Sequence, residues 1–191
     1  VLIISVLFLF GFVVYPFGIM LFSSLKAEAR PLFSYFLRNR ETLSIISNTL
    51  WMGLSVAMLG TALGFLLAYI QVKVDVPFKR FFHLAAVIPI ISPPFAVAMS
   101  TIALFGRSGL ISNKLFGVRY DIYGADGLIF ASIISFLPFT YLSLMGMMRS
   151  LDPSLEEAAQ DFGASRWRIF RTILLPLLLP GIASSFLLLF V

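Results

Sequence analysis

The chain has 191 residues, 60% of them hydrophobic and 12% charged, with a formal net charge of +5 and a mean hydropathy of +1.00. Soluble domains run near half apolar and about a quarter charged, so this balance excludes an ordinary soluble fold. The lack of cysteine excludes disulfides, thiolate metal sites and cysteine nucleophiles, and the modest positive charge suits loops beside anionic lipid, with no sign of nucleic-acid binding.

The apolar residues are concentrated in blocks. No Asp, Glu, Lys or Arg occurs in 1–25, 42–71, 81–105, 127–148 or 172–191. A helix needs roughly 20 mostly apolar residues to cross the hydrocarbon. Backbone in lipid must satisfy its own polar groups, which selects helices, and the alternation of a membrane barrel is missing. These blocks predict an all-α, polytopic transmembrane bundle of about five spans. The first, 1–25, lacks a basic leading region and is too long for a signal peptide, so it reads as a span. Val1 and Val191 both lie inside apolar runs, and the sequence is expected to be a fragment, truncated at both ends, of a single transmembrane domain over 1–191.

The second span, about 43–70, carries Gly53, Ala57, Gly60, Gly64 and Ala68 at helical spacing. Its Gly60-x-x-x-Gly64 pair allows close approach of two helix backbones, within the subunit or at a dimer contact. Pro77 stops this helix in the charged loop 72–80. The third span, 81–105, contains Pro89 and Pro93-Pro94, which remove hydrogen-bond donors and predict a kink or break near 88–95. Pro89, Ser92, Pro93 and Pro94 either expose backbone polar groups to a translocation path or are satisfied by neighbouring helices. The glycine-rich loop 106–126 follows, then a fourth span, 127–148, with Pro138 near its middle. Pro176 and Pro180 open the fifth.

Between the last two spans lies a charged island, 152–176. Asp152-Pro153 is a helix start, with Asp as cap and Pro at the first helical position, and Ser154 with Glu157 is an alternative capping box. Leu155, Ala158, Ala159 and Phe162 make one apolar stripe, while Glu156, Glu157 and Asp161 lie off it. Gly163 ends the helix. Ser165 can cap a second helix on which Trp167, Phe170 and Leu174 share a face. Two short helices with a bend at Gly163 make a rigid knob able to lodge in a partner's groove. Composition alone also permits a helix pair lying on the membrane surface with arginines at lipid phosphates.

The island Glu157-Ala158-Ala159-Gln160-Asp161-Phe162-Gly163-Ala164, followed by Ile173-Leu174-Leu175-Pro176, resembles the cytoplasmic EAA loop of the membrane-spanning permease subunits of ABC importers. Glu157, Ala158, Ala159, Gly163, Ile173, Leu175 and Pro176 match that loop without a gap. The resemblance implies a type I permease-like bundle in a bacterial inner membrane, with Ala164 and Arg166 also in the coupling segment. It implies an ATPase subunit in two copies, a periplasmic or lipid-anchored substrate-binding protein, and a second permease half, fused or separate. ATP would be used by the partner and no cofactor held by this chain, which contains no Walker A sequence and is expected not to be an enzyme. Orientation is taken from the resemblance too. Lys73, Lys79, Arg80, Arg149, Arg166, Arg168 and Arg171 lie on one side and Lys26, Arg30, Arg38, Arg40, Arg107, Lys114 and Arg119 on the other, seven against seven, which decides nothing by the positive-inside rule.

Phe78-Lys79-Arg80, the segment from Ile88 to Phe95, the segment from Leu104 to Leu110 and Asp121-Ile122-Tyr123-Gly124 are similar to the ferric-iron branch of that family. Related branches carry 2-aminoethylphosphonate, thiamine or polyamines. Ferric iron prefers oxygen ligands, and Tyr120, Asp121, Tyr123 and Asp126 cluster in the outer loop. These residues are read either as ligands or, more in keeping with a glycine-rich loop, as shaping it. Arg107, Tyr120, Asp121 and Tyr123 are then candidate contacts for the binding protein. His83, alone near a span end, reads as packed or interfacial. An ion-coupled secondary transporter is the alternative of another class. It usually needs ionisable residues within its spans, and the charge-free blocks offer no carboxylate, lysine or arginine.

Overall fold

The computed structural model describes residues 2–25, 35–36, 38–118 and 122–191. Among these the regular elements are helical, with no strand. Five helical segments are long and apolar enough to cross a membrane: Ile4–Leu25, Arg40–Lys73, Pro94–Leu115, Ala125–Ser150 and Arg166–Phe190. The chain divides into two compact units, Val1–Leu50 and Trp51–Val191.

In the first unit α1 (Leu2–Leu9) passes through a π turn, Phe10–Val14, into α2 (Tyr15–Leu25). Every residue from Ile4 to Leu25 is exposed, as expected of a helix apolar on all sides and built for lipid. Its rings pair locally, with Phe8 stacked on Phe12 at 4.5 Å. α3 (Arg40–Lys73) starts in this unit, where Asn39 Oδ1 accepts the Glu41 N–H at 3.0 Å in the manner of an N-cap. With 34 residues and a rise of about 1.5 Å each, α3 outruns a hydrocarbon layer of about 30 Å.

The second unit holds the rest of α3 and then α4 (Lys79–Val87), a 3₁₀ turn at Ile88–Ile90, α5 (Pro94–Phe105), a π-type segment at Leu110–Leu115, α6 (Ala125–Ser150), α7 (Ser154–Asp161), α8 (Arg166–Ile169), a π turn at Phe170–Leu174, and α9 (Leu175–Phe190). α6 is the hub and packs along both α5 and α9. Its Tyr141, Leu144, Met145 and Met148 share a core with Ala68 of α3, Ala86 of α4, and Leu174 and Leu178. The small-residue pair on α3 is spent inside the subunit. A Cβ on Gly60 would strike Leu189 of α9, and one on Gly64 would lie 2.8 Å from the Thr140 Cβ and 3.2 Å from the Tyr141 backbone nitrogen of α6.

Two spans differ from expectation. The break near 88–95 is present, but it separates α4 from the third span instead of kinking one helix. Pro89 sits in the 3₁₀ turn, Pro93 is extended (ψ 143°), and Pro94 opens α5. The span then runs through the tight turn at Gly106–Gly109, which Ser112 Oγ closes by donating to the Gly106 carbonyl at 2.8 Å, and on to Leu115. Part of the expected outer loop is therefore helical, and the charge-free block 81–105 joins an amphipathic helix to a spanning one. The fifth span starts earlier than Thr172. It is helical from Arg166 and continues through the π turn, where Leu175 N–H donates to the Phe170 carbonyl. A widened turn just before Pro176 accommodates a residue that lacks a donor and crowds the preceding turn.

Candidate functional site

The island folds as the capping chemistry dictates. Ser154 N–H donates to Asp152 Oδ1 at 2.9 Å and Glu157 N–H to the Pro153 carbonyl at 3.1 Å, so the helix begins around Asp152-Pro153. The Ser154 backbone and side-chain hydrogen bonds hold the Asp152 carboxyl below the ordinary aspartate range. At the far end Gly163 has φ +79°. Its N–H donates to the Gln160 carbonyl at 2.8 Å, and that of Ala164 to the Ala159 carbonyl at 3.0 Å, the two bonds of a Schellman cap. Ser165 Oγ then accepts the Arg168 N–H at 3.3 Å and caps α8. The result is an elbow capped on both sides of the bend.

What the elbow leaves uncovered is apolar. Phe162 is 93% exposed and Leu155 48%. Ala158 is exposed beside them, and Ala159 is half-buried. Glu157 is exposed, and among the described residues its carboxylate has no hydrogen-bond or ion-pair partner. On the inner side Ile169 and Leu174 are buried, while Ala164, Ile173 and Leu175 are half-buried and Arg166 and Pro176 exposed. Phe170 stands edge-on to Tyr69 at 5.5 Å and stacks with Trp167 at 5.5 Å. The shared face expected of Trp167, Phe170 and Leu174 is present, although Trp167 remains largely open.

The other candidate residues are held elsewhere. Pro89, Ser92, Pro93 and Pro94 form the break before α5, beside exposed Ile91 and Phe95. The Arg107 guanidinium lies over the Tyr123 ring at 5.7 Å, a cation–π distance. These two of the four candidate binding-protein contacts are brought together, whereas Tyr120 and Asp121 lie outside the described residues. Among the described residues no group of three His, Asp or Glu could hold a metal ion. His83 is packed, with Nδ1 at 2.8 Å from the Tyr141 hydroxyl.

Sequence reasoning missed two features. Phe78, before α4, has φ +62°, rare for a bulky residue. Lys73, at the end of α3, pairs with Glu156 of α7. The position of Glu156 off the apolar stripe was a signal that it could face inward, but nothing local names a partner 83 positions away.

Five apolar spans, with α6 as the hub of the second unit and a capped elbow between the last two, define a multi-pass helical membrane protein. Residues 60–191 match the model of the binding-protein-dependent transport system inner membrane component, and the chain belongs to that family. It is 30% identical to the ferric transport system permease protein FbpB of Actinobacillus pleuropneumoniae over 97% of this chain and 28% of that protein. It is 33% identical to the molybdenum transport system permease protein ModB of Escherichia coli K12 over 62% of this chain and 53% of that one. The chain therefore spans between about a quarter and a half of the length of these relatives. Its fold matches a chain in the crystal structure of a bacterial ABC transporter involved in importing the acidic polysaccharide alginate, with TM-score 0.83, 22% identity, and coverage of 98% of this chain and 70% of that one.

Proposed function

We propose that this chain is the membrane-spanning part of a permease subunit in an ATP-driven, binding-protein-dependent ABC importer of the bacterial inner membrane, and that the α7–α8 elbow docks into a separate ATPase subunit. The carrying observation is the exposed Leu155–Phe162 stripe on an elbow capped on both sides of its bend. Covering a phenylalanine of this exposure is worth about 1.5–3 kcal/mol, and the alanines between allow close approach. In this reading two ATPase copies close on ATP and move the elbow of this chain and that of a second permease half, fused or separate. Because α8 runs without a break through the π turn into α9, the displacement enters the fifth span directly and helps switch the bundle between inward-open and outward-open states. Glu157, beside the stripe, is placed to meet a basic group of the partner. No step of ATP hydrolysis is assigned to this chain.

Ferric iron, delivered by a periplasmic or lipid-anchored binding protein, is the proposed cargo. Similarity to the ferric relative extends over nearly the whole chain, whereas that to the molybdenum relative covers 62% of it. The Arg107–Tyr123 pair is the proposed contact for the binding protein.

The test is co-purification of a tagged ATPase subunit with the complete transporter, together with uptake of labelled ferric iron and molybdate. Phe162→Ala and Glu157→Lys are expected to weaken ATPase association and uptake together. Unchanged association and uptake in both variants would remove the docking role. Uptake that survives ATPase deletion and follows an ion gradient would establish a secondary transporter instead.

A further inference from the structure

α7 has little to hold it. It packs mainly on α8, its apolar stripe faces outward, and Leu151 before it is extended (ψ 135°). A helix this sparsely packed has few side-chain contacts of its own with the spans. Glu156 is the exception. Its Oε1 accepts from Lys73 Nζ at the last residue of α3, and each side chain is only 23% exposed. Charges this sheltered are screened less than a surface pair. The pair lies in the wall of a cleft of about 550 Å³ between the end of α3 and the elbow, with Tyr69, Gln160 and Arg166. A second hold on the same end of α3 comes from Phe170, which stands edge-on to Tyr69 at 5.5 Å and to Phe65 at 6.2 Å. The end of α3 is thus gripped from α7 by charge and from the root of α9 by aromatic rings.

We propose that Lys73 and Glu156 are positioning residues that form a strut carrying the displacement of α7 into α3, so that α3 travels with the elbow and is not left behind as the elbow moves. This rests on the ATPase-docking reading above. Sequence continuity alone would hand the motion to α6 and α9. The strut adds the span that carries the Gly60 and Gly64 contacts to α9 and α6, and so makes the three helices respond as one body.

The experiment uses the complete transporter in liposomes with its ATPase and binding protein. Lys73→Glu and Glu156→Lys are each expected to cut binding-protein-stimulated ATP hydrolysis and uptake roughly tenfold, while Lys73→Glu keeps ATPase co-purification. The exchange Lys73→Glu with Glu156→Lys should recover most of the loss, the signature of a direct pair. A general folding defect would instead lower yield and association in step with activity. These 191 residues contain no cysteine, so Lys73→Cys with Glu156→Cys, made in a complete transporter whose other cysteines have been replaced, adds a thiol pair that a short bis-maleimide can tether. Tethering is expected to leave uptake at or above that of the untethered pair. The proposal is overturned by single variants with normal stimulation, by an exchange that restores nothing, or by a tether that abolishes uptake. If the unsubstituted chain fails to hold the ATPase, the docking reading falls first and the strut with it.

Discussion

Two of the breaks between helices in the second unit are built from opposite chemistry. At Gly163 the chain turns by adopting a left-handed conformation, and the Schellman bonds to Gln160 and Ala159 satisfy the helix end. At residues 88–94 the chain turns because Pro89, Pro93 and Pro94 lack donors, leaving a 3₁₀ turn, an extended residue and exposed Ile91 and Phe95. The glycine break is closed on itself and can transmit force as a rigid elbow. The proline break lacks donors for nearby carbonyls, and in lipid such a place must be met by neighbours or by a polar path. A break's chemistry therefore distinguishes a joint that passes motion on from one that leaves polar backbone to be satisfied.

The sharpest way to break this contrast is at the elbow. A non-glycine residue in the left-handed region costs about 1–2 kcal/mol, more for a β-branched one. Gly163→Val should lower ATPase association in co-purification by at least roughly tenfold, since about 1.4 kcal/mol is a decade. Gly163→Pro, which cannot adopt a positive φ, should do the same, and Gly163→Asn should lose least because Asn tolerates this conformation. Equal association for valine, proline and asparagine would show that the bend is not what the partner recognises.

A second substitution asks whether the helices behind the elbow move as one packed body. Gly64→Val would drive a branched side chain into Thr140 and the Tyr141 backbone, and overpacking of this kind costs about 1–3 kcal/mol. The melting temperature of the purified protein in detergent should fall by several degrees. Gly146, where an added Cβ would meet nothing within 4 Å, is the control, and Gly146→Ala should leave it unchanged. At the other break, Pro93→Ala with Pro94→Ala restores two N–H donors at an extended residue and at the first position of α5, where proline carries little helix penalty. Stability and ATPase association should hold while uptake falls a few-fold. Unchanged uptake would assign the prolines to packing alone.

The spans were legible because the bilayer forces a length and a composition on them, and the elbow because its signals are local. Asp152, Gly163 and Ser165 act within a few residues of themselves, and each does what its chemistry suggests. Three things were not legible. The block 81–105 has no charge boundary at Pro93, so hydropathy fused α4 to α5. The π turn before Pro176 is a backbone accommodation with no side-chain mark of its own. The Lys73–Glu156 contact joins two helices at positions 83 apart in the chain, and it is tertiary packing that brings them together. Tyr120 and Asp121, the remaining candidate contacts for a binding protein, lie outside the described residues, and Arg107–Tyr123 represents that loop.

The smallest effect is expected at the start of α7, where it tests whether the elbow's first half is fixed by its cap. Hydrogen bonds from Ser154 lower the Asp152 pKa, so the folded group releases its proton more readily than the unfolded one, whose value is about 3.9. A carboxyl depressed in this way stabilises above the unfolded pKa, and its contribution is lost as pH falls through the lowered folded value. Asp152→Ala should therefore reduce the melting temperature slightly and by a constant amount from about pH 5 to 8. That gap should shrink as the pH drops below about 4 and the native carboxylate takes up its proton. Asp152→Asn, which can still accept the Ser154 N–H, should keep most of the cap while losing the acid dependence. A gap that instead keeps changing between about pH 6 and 8, well above the carboxylate range, would show that the Asp152 cap is not its source.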